Sequence, residues 1–399
     1  MSNQQGATDK ATSSAIDAVL RKLIDTGLIP GVVALAATPD RIFYEGAFGK
    51  RAVDKPPAPM TADSVFRIAS MTKAVTTVAA MQLVEQGRIR LDQPMREILP
   101  LIGEVKVLEG FDDSGTPRLR EPKGPVTLHH LLTHTSGYSY DIFNADLIRY
   151  VEFAGLPSIT TCKNDSLRVP LLFDPGKRWE YGIGIDLAGR VVEEVTGLNL
   201  ERYMRTHIFE PLGMRDTTFL LRNDMAQRLV GTHARGGDGK PVSITLEFPQ
   251  DGDFLMGGGG LFSTAADYLS FTRMLLAGGA LNSARVLKPE TVALMSRNAI
   301  GDLEVPVMRS ANPALALDME LFPGQVKRWA LGFLINTQDV EGMRAAGSLA
   351  WAGVHNTFFW IDPARRVTAV LMMQIIPAND PHVVETLFAF EQAVYSALR

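Results

Sequence analysis

Ser70-Met71-Thr72-Lys73 sets a hydroxyl and an amine three residues apart, ahead of an Ala- and Val-rich run. On a helix, residues three apart share a face. A serine at a helix mouth has the first-turn N–H groups near its oxygen. An amine held beside it can take the hydroxyl proton once burial or a neighbouring cation lowers its basicity. The plain alternative is a capping serine with a surface lysine. The apolar helix that follows argues for a central position, where a polar pair is harder to explain by solvation.

Two further segments could join such a pair. Glu180-Tyr181-Gly182-Ile183 follows Asp174-Pro175-Gly176. A tyrosine flanked by glycine can put its phenol into a cleft, and beside a lysine ammonium the phenol becomes a usable base. Packing is the ordinary role of a lone tyrosine. Ser348 to His355 reads as an edge strand of small residues, through which backbone can approach a ligand and donate to an oxyanion. Other chemistries find weaker support. His130 and His134 stand four apart and could bind zinc with a third ligand, but no H-E-x-x-H occurs, and no metal is expected. No G-x-S-x-G occurs either: Gly137 to Asp141 fails at its last position. Gly257 to Gly260 lacks the G-K-[ST] of a phosphate loop. Cys162 has no partner motif.

These residues need elements to hold them. Residues 15–28 carry apolar positions at helical spacing. Val32 to Ala37 and Ile42 to Phe48 are β-like runs joined by Thr38-Pro39-Asp40, which predicts an antiparallel hairpin. Helical spacing runs from Met71 to Val84, with Gly87 as its stop. Residues 91–177 read as helix and loop with few β-like runs. Helices are expected over residues 185–195, capped near Asp186 and stopped by Gly197, and over residues 264–277. Near the C-terminus, residues 329–335, 344–351, 357–361 and 367–374 read as strands, and residues 383–398 as a closing helix. Strands at both ends with helices between predict an α/β (α+β) layer built from both termini. The expected division is an α/β domain of residues 1–84 and 178–399 with an inserted helical domain of residues 85–177.

Composition narrows the partners. The chain has 399 residues, 46% hydrophobic and 21% charged, enough for a large core. Forty Lys and Arg against 44 Asp and Glu leave a net charge of −4, so nucleic acid is not expected. One cysteine excludes an internal disulfide. The N-terminus lacks a basic-then-apolar leader, and no apolar run spans a membrane, so a cytoplasmic location is expected. The sequence leaves oligomeric state open.

Taken together, S-x-x-K, a tyrosine motif over a hundred residues on and a small-residue strand near the C-terminus resemble the serine β-lactamase and penicillin-binding-protein superfamily. The chain is most similar to the family VIII carboxylesterases, esterases with a class C β-lactamase-like fold. RIASMTKAVTTVAAMQLVEQG, VTLHHLLTHTSG, DPGKRWEYGIGIDLAGRVVEEVTG, GGGGLFSTAADYLSFTRMLL and WAGVHNTFFWIDP carry the likeness. VLEGFDDSGTPRLRE also resembles the lovastatin-type acyltransferases. The resemblance implies an antiparallel sheet flanked by helices, plus a helical domain, with the site between them. It implies Ser70 as nucleophile, Lys73 as its proton partner and Tyr181 as sharer of the base role. The N–H groups of Ser70 and Val354 would form the oxyanion hole. Trp351, Gly353, His355 and Ile183 would contact substrate.

Two departures bear on the reaction. The Tyr-x-Asn of lactamases reads Tyr181-Gly182-Ile183, and their Lys-Thr-Gly reads Trp351-Ala352-Gly353. An amide and a cation for anionic lactams are thereby lost, and apolar wall is gained. The expectation is a serine carboxylesterase acting on small to medium esters, with β-lactams opened weakly at best and no cofactor. The alternatives are an acyltransferase moving the acyl group to an alcohol on the same machinery, and a non-catalytic penicillin-binding-like module.

Overall fold

The computed structural model describes residues 2–54 and 58–398, with side-chain surroundings from residue 13 onward. Helix α1 covers Ser2–Asp25, extending well before the expected start at residue 15. Strands β1 (Gly31–Ala37) and β2 (Ile42–Gly49) form the predicted hairpin, with Leu35 opposite Glu45. All seven residues of β1 are buried, so its sequence is an unbroken apolar run rather than an alternation.

Helix α2 spans Thr72–Glu85 and is buried on every side from Thr72 to Leu83. Helix α3 is Gly184–Thr196, ended by Gly197 at φ +70°. Helix α4 is Ala265–Leu276, with the Thr264 side chain accepting from the Asp267 N–H. The C-terminal strands follow: β3 (Lys327–Trp329), β4 (Leu334–Asn336), β5 (Leu349–Gly353), β6 (Thr357–Asp362) and β7 (Val367–Met372). Helix α5, Pro381–Ser396, closes the chain.

The seven strands form one antiparallel sheet in the order β3-β4-β5-β6-β7-β1-β2. β7 pairs with β1, Val370 opposite Leu35, so the sheet exists only once the two ends of the chain have met. Successive side chains of a strand face opposite ways. On β6, Phe359 meets Tyr268 of α4 at 5.2 Å, and its neighbour Trp360 meets Phe390 of α5 at 5.7 Å on the other face. α1 packs beside α5, whereas α2 lies against α3.

Two expected strands are shorter than their apolar runs. Residues 329–335 split into β3 and β4 at a turn in which Ala330 N–H donates to the Phe333 carbonyl and Gly332 takes φ +85°. β5 starts only at Leu349, because Arg344 leaves the sheet line to grip Glu391 of α5. Its Nε and Nη2 donate to the two carboxylate oxygens at 2.8 and 2.6 Å. Residues 85–177 carry helices Leu128–Thr133 and Ala145–Ala154. They also hold a two-stranded hairpin, Val107–Phe111 with Pro117–Arg120. No helix among the described residues is long and apolar enough to cross a membrane.

Candidate active site

Ser70 sits in a tight turn, Ala69–Met71, at the mouth of α2. Ala69 takes φ +44°, a left-handed conformation that a side chain disfavours and that surrounding structure must enforce. The enforcement is visible around Ile68. Its carbonyl accepts from Met71 N–H at 3.1 Å and from the Thr357 hydroxyl at 3.2 Å. Its own N–H donates to the Leu261 carbonyl. Gly353 at the end of β5 lies so close that an added Cβ would fall 2.4 Å from the Ile68 oxygen. The turn therefore rests on the sheet edge, and only glycine permits the approach.

Lys73, the second residue of α2, has no exposed surface. Its Nζ donates to the Gly258 carbonyl at 2.6 Å and to the Tyr140 hydroxyl at 3.0 Å, and lies 3.2 Å from Ser70 Oγ. The Tyr140 hydroxyl donates onward to Asp186 Oδ2 at 2.8 Å, while Asp186 Oδ1 accepts from the Gly258 N–H at 2.7 Å. Burial pushes the Tyr140 phenol well above its ordinary range, and the charge of Asp186 adds to the push. Burial also raises the Asp186 carboxyl, against the pull of Lys73, Tyr140 and Gly258. The glycine run 257–260 has its physical reason here: a Cβ on Gly258 would lie 2.3 Å from Asp186 Oδ2. Tyr140 and Asp186 are the residues that sequence reasoning missed. Tyr140 was visible only as part of a failed G-x-S-x-G, and Asp186 only as a helix cap.

Tyr181 lies across this cluster. Its hydroxyl accepts from Trp351 Nε1 at 3.2 Å, and its ring centre is 4.8 Å from Lys73 Nζ. Gly182 fixes it, since a Cβ there would meet the Tyr138 carbonyl at 2.3 Å. Behind Tyr181 stands an aromatic wall of Trp179, Trp329, Trp351 and His134. Trp329 meets Trp351 edge-on at 4.6 Å, and His134 lies 4.8 Å from Tyr181 and 5.0 Å from Trp329. Burial, reinforced by Lys73, holds the His134 imidazole well below its ordinary range.

A cavity of about 410 Å³ opens from Ser70. Tyr181, Trp351, Gly353 and Val354 line it beside Ser70, with Ile142, Phe143, Phe248, Met256, Met308 and Leu315 among its apolar wall residues. Two expected contacts are absent from it. Ile183 is buried where α3 begins and faces a separate cleft with Leu147 and Val169. His355 has no exposed surface. The turn after β5, with Asn356 N–H donating to the Gly353 carbonyl, sends Val354 to the cavity and His355 into the core.

His130 and His134 do not form a pair. The helix ends at Thr133, and His134 turns to φ +58°. His130 Nδ1 accepts the Thr127 N–H in a capping box, and His134 Nδ1 accepts the Gly182 N–H. Among the described residues, no group of three His, Cys, Asp or Glu is arranged to hold a metal ion.

The chain matches the beta-lactamase family over residues 16–394. It is 35% identical to the monacolin J acid methylbutanoyltransferase of Aspergillus terreus, over 96% of this chain and 95% of that one. It is 32% identical to the lovastatin esterase of Penicillium rubens, over 95% and 98%. Among solved structures, a simvastatin synthase variant from Aspergillus terreus superposes with a TM-score of 0.84 at 34% identity, over 96% of this chain and 95% of that one.

Proposed function

The chain belongs to the beta-lactamase family, and we propose that it is an acyltransferase that carries an acyl group on Ser70 and passes it to a small-molecule alcohol. Ser70 Oγ attacks the donor carbonyl and loses its proton to Lys73. The contacts of Nζ with Gly258 and Tyr140 hold it 3.2 Å from the serine oxygen, where it can receive that proton. The N–H groups of Ser70 and Val354 hold the oxyanion. The oxygen of Tyr181 already accepts from Trp351, so its own proton is free to face the leaving group. The leaving group departs with that proton, and the acyl–Oγ ester remains. An alcohol in the same cavity then gives its proton back through the same groups, attacks the acyl carbon and releases Ser70.

The observation that carries this reading is the cavity. An acyl-enzyme open to solvent would lose its acyl group to water. A largely apolar space beside Ser70 favours an apolar acceptor over water and would hold it at high effective concentration. Similarity to the methylbutanoyltransferase supports the same choice. Hydrolysis is the second reading, supported by the likeness to the lovastatin esterase. Of the two departures read from the sequence, Trp351 adds apolar wall to the cavity and Ile183 does not, while the amide and the cation for an anionic lactam stay absent.

The test is partition. The enzyme is given a p-nitrophenyl acyl ester with rising concentrations of a bulky secondary alcohol, and both products are quantified. Transfer ester should overtake free acid as the alcohol saturates. Free acid as the sole product at saturation would make the enzyme a hydrolase.

A further inference from the structure

The cavity wall is unequal in charge. Among the described residues lining it, Asp141 is the one ionisable carboxylate, and no lysine, arginine or histidine reaches it. Lys73 is the nearest cation of the cluster, but it has no exposed surface. It is matched by Asp186 through the Tyr140 hydroxyl.

Several neutral hydrogen-bond donors of the wall are spent elsewhere, and Asn312, held through its backbone N–H and carbonyl, is the exception. Asn356 Nδ2 donates to the Ile375 and Pro377 carbonyls at 2.7 and 2.8 Å. Asn379 Nδ2 donates to the Asp318 carbonyl at 2.6 Å. The Ser158 hydroxyl donates to Asp141 Oδ2 at 3.2 Å, and the Thr160 hydroxyl donates to Ser158. The Thr160 hydroxyl proton thus goes to Ser158, and the Ser158 proton to Asp141, rather than into the cavity. A substrate carboxylate placed here would lose its water, meet few donors and face a like charge.

From this we infer that the site takes substrates without a negative charge, and that Asp141 sets the discrimination. The partners of choice are neutral esters and alcohols, and a positively charged group at the far end of the acyl chain is accommodated beside Asp141. This rests on the reading of Ser70 as nucleophile.

Three p-nitrophenyl esters of matched length test it: the 5-carboxypentanoate, its methyl ester, and the 6-(trimethylammonio)hexanoate. Each kcat/KM is divided by the ester's rate with hydroxide. The neutral and cationic esters should exceed the anionic one by about tenfold or more, the size of a unit charge acting across a few ångströms of partly solvated protein. Asp141→Asn keeps an acceptor for the Ile142 N–H, which Asp141 Oδ1 now binds at 2.9 Å. It should bring the neutral-to-anionic ratio down to within about threefold. Equal or faster turnover of the anionic ester by the wild type overturns the inference, and needs no variant. So does a ratio that Asp141→Asn leaves unmoved. Failure of the Ser70 reading looks different: none of the three esters is turned over.

Discussion

Beneath Ser70 and beside it, the molecule solves two different problems. Beneath it, Lys73, Tyr140, Asp186 and Gly258 exchange hydrogen bonds in a closed set, and Thr76 adds one to Gly257 at 2.6 Å. Beside it, the aromatic wall leaves polar atoms without partners: His134 Nε2 and Trp179 Nε1. A satisfied buried network has one low-energy arrangement, and each member fixes the next. A wall held by ring packing tolerates an orphaned N–H, and it meets the bonded set, here called the nest, through Trp351 and Tyr181. Three of the four tryptophans of the chain stand in this wall. Under the proposed function the nest would carry the acyl-transfer chemistry, and the wall would shape the cavity beside it.

The comparison is broken most severely at the nest. Ser70→Ala should lower both transfer and hydrolysis by about a thousandfold or more, since a lost nucleophile leaves only binding and oxyanion contacts. The thermal midpoint should hold within a few degrees, because Ser70 is only partly buried and bonds only to Lys73. No other serine of the chain has a lysine three residues on. A variant keeping more than about a tenth of the wild-type rate would end the assignment of Ser70.

The second expected effect is on stability and belongs to the core around the site. Burial, with the nearby Arg67 cation adding to it, pulls the His355 imidazole down to about 3. Neither ring nitrogen has a partner. Unfolded, the same imidazole titrates near 6.5. Below that pH the unfolded chain binds a proton that the folded chain refuses, so stability falls as pH drops from about 6.5 toward 3. From pH 6.5 to 5 this single group removes about 2 kcal/mol. Urea midpoints at the two pH values, for wild type and His355→Leu, measure it. The variant should lose about 2 kcal/mol less over that interval. Parallel losses in the two proteins would remove His355 from the account.

How much of this was legible in the chain divides along the same line. Ser70 and Lys73 are three residues apart on one helix, and local spacing reveals them. Tyr140 and Asp186 join Lys73 from 67 and 113 residues away, and nothing local marks either as a partner. The hairpin of β1 and β2 was readable because a turn signal separates two β-like runs. The pairing of β7 with β1 spans nearly the whole chain and leaves no local trace. Small residues near Gly353 suggested an approach of backbone to a ligand, whereas the close approach that Gly353 makes is to the Ile68 carbonyl. They did not say that the next turn would bury His355 while leaving Val354 at the cavity. Ile183 followed Tyr181 too closely in sequence to be separated from it in space without seeing α3 begin.

The smallest expected effect sharpens the division, because Trp351 belongs to both regions. Its ring is packed edge-on against Trp329, and its N–H reaches the Tyr181 hydroxyl. Trp351→Phe keeps an aromatic body and removes the donor. If that hydrogen bond aims the Tyr181 proton, kcat should fall by about tenfold while KM changes by less than about threefold, the signature of an interaction that matters more in the transition state than in the bound substrate. If Trp351 serves only as wall, the smaller ring leaves space, and KM rises for long acyl chains while kcat stays level. A set of p-nitrophenyl esters from acetate to octanoate separates the outcomes. A uniform loss of kcat across chain lengths assigns Trp351 to the nest, and a loss that grows with chain length assigns it to the wall.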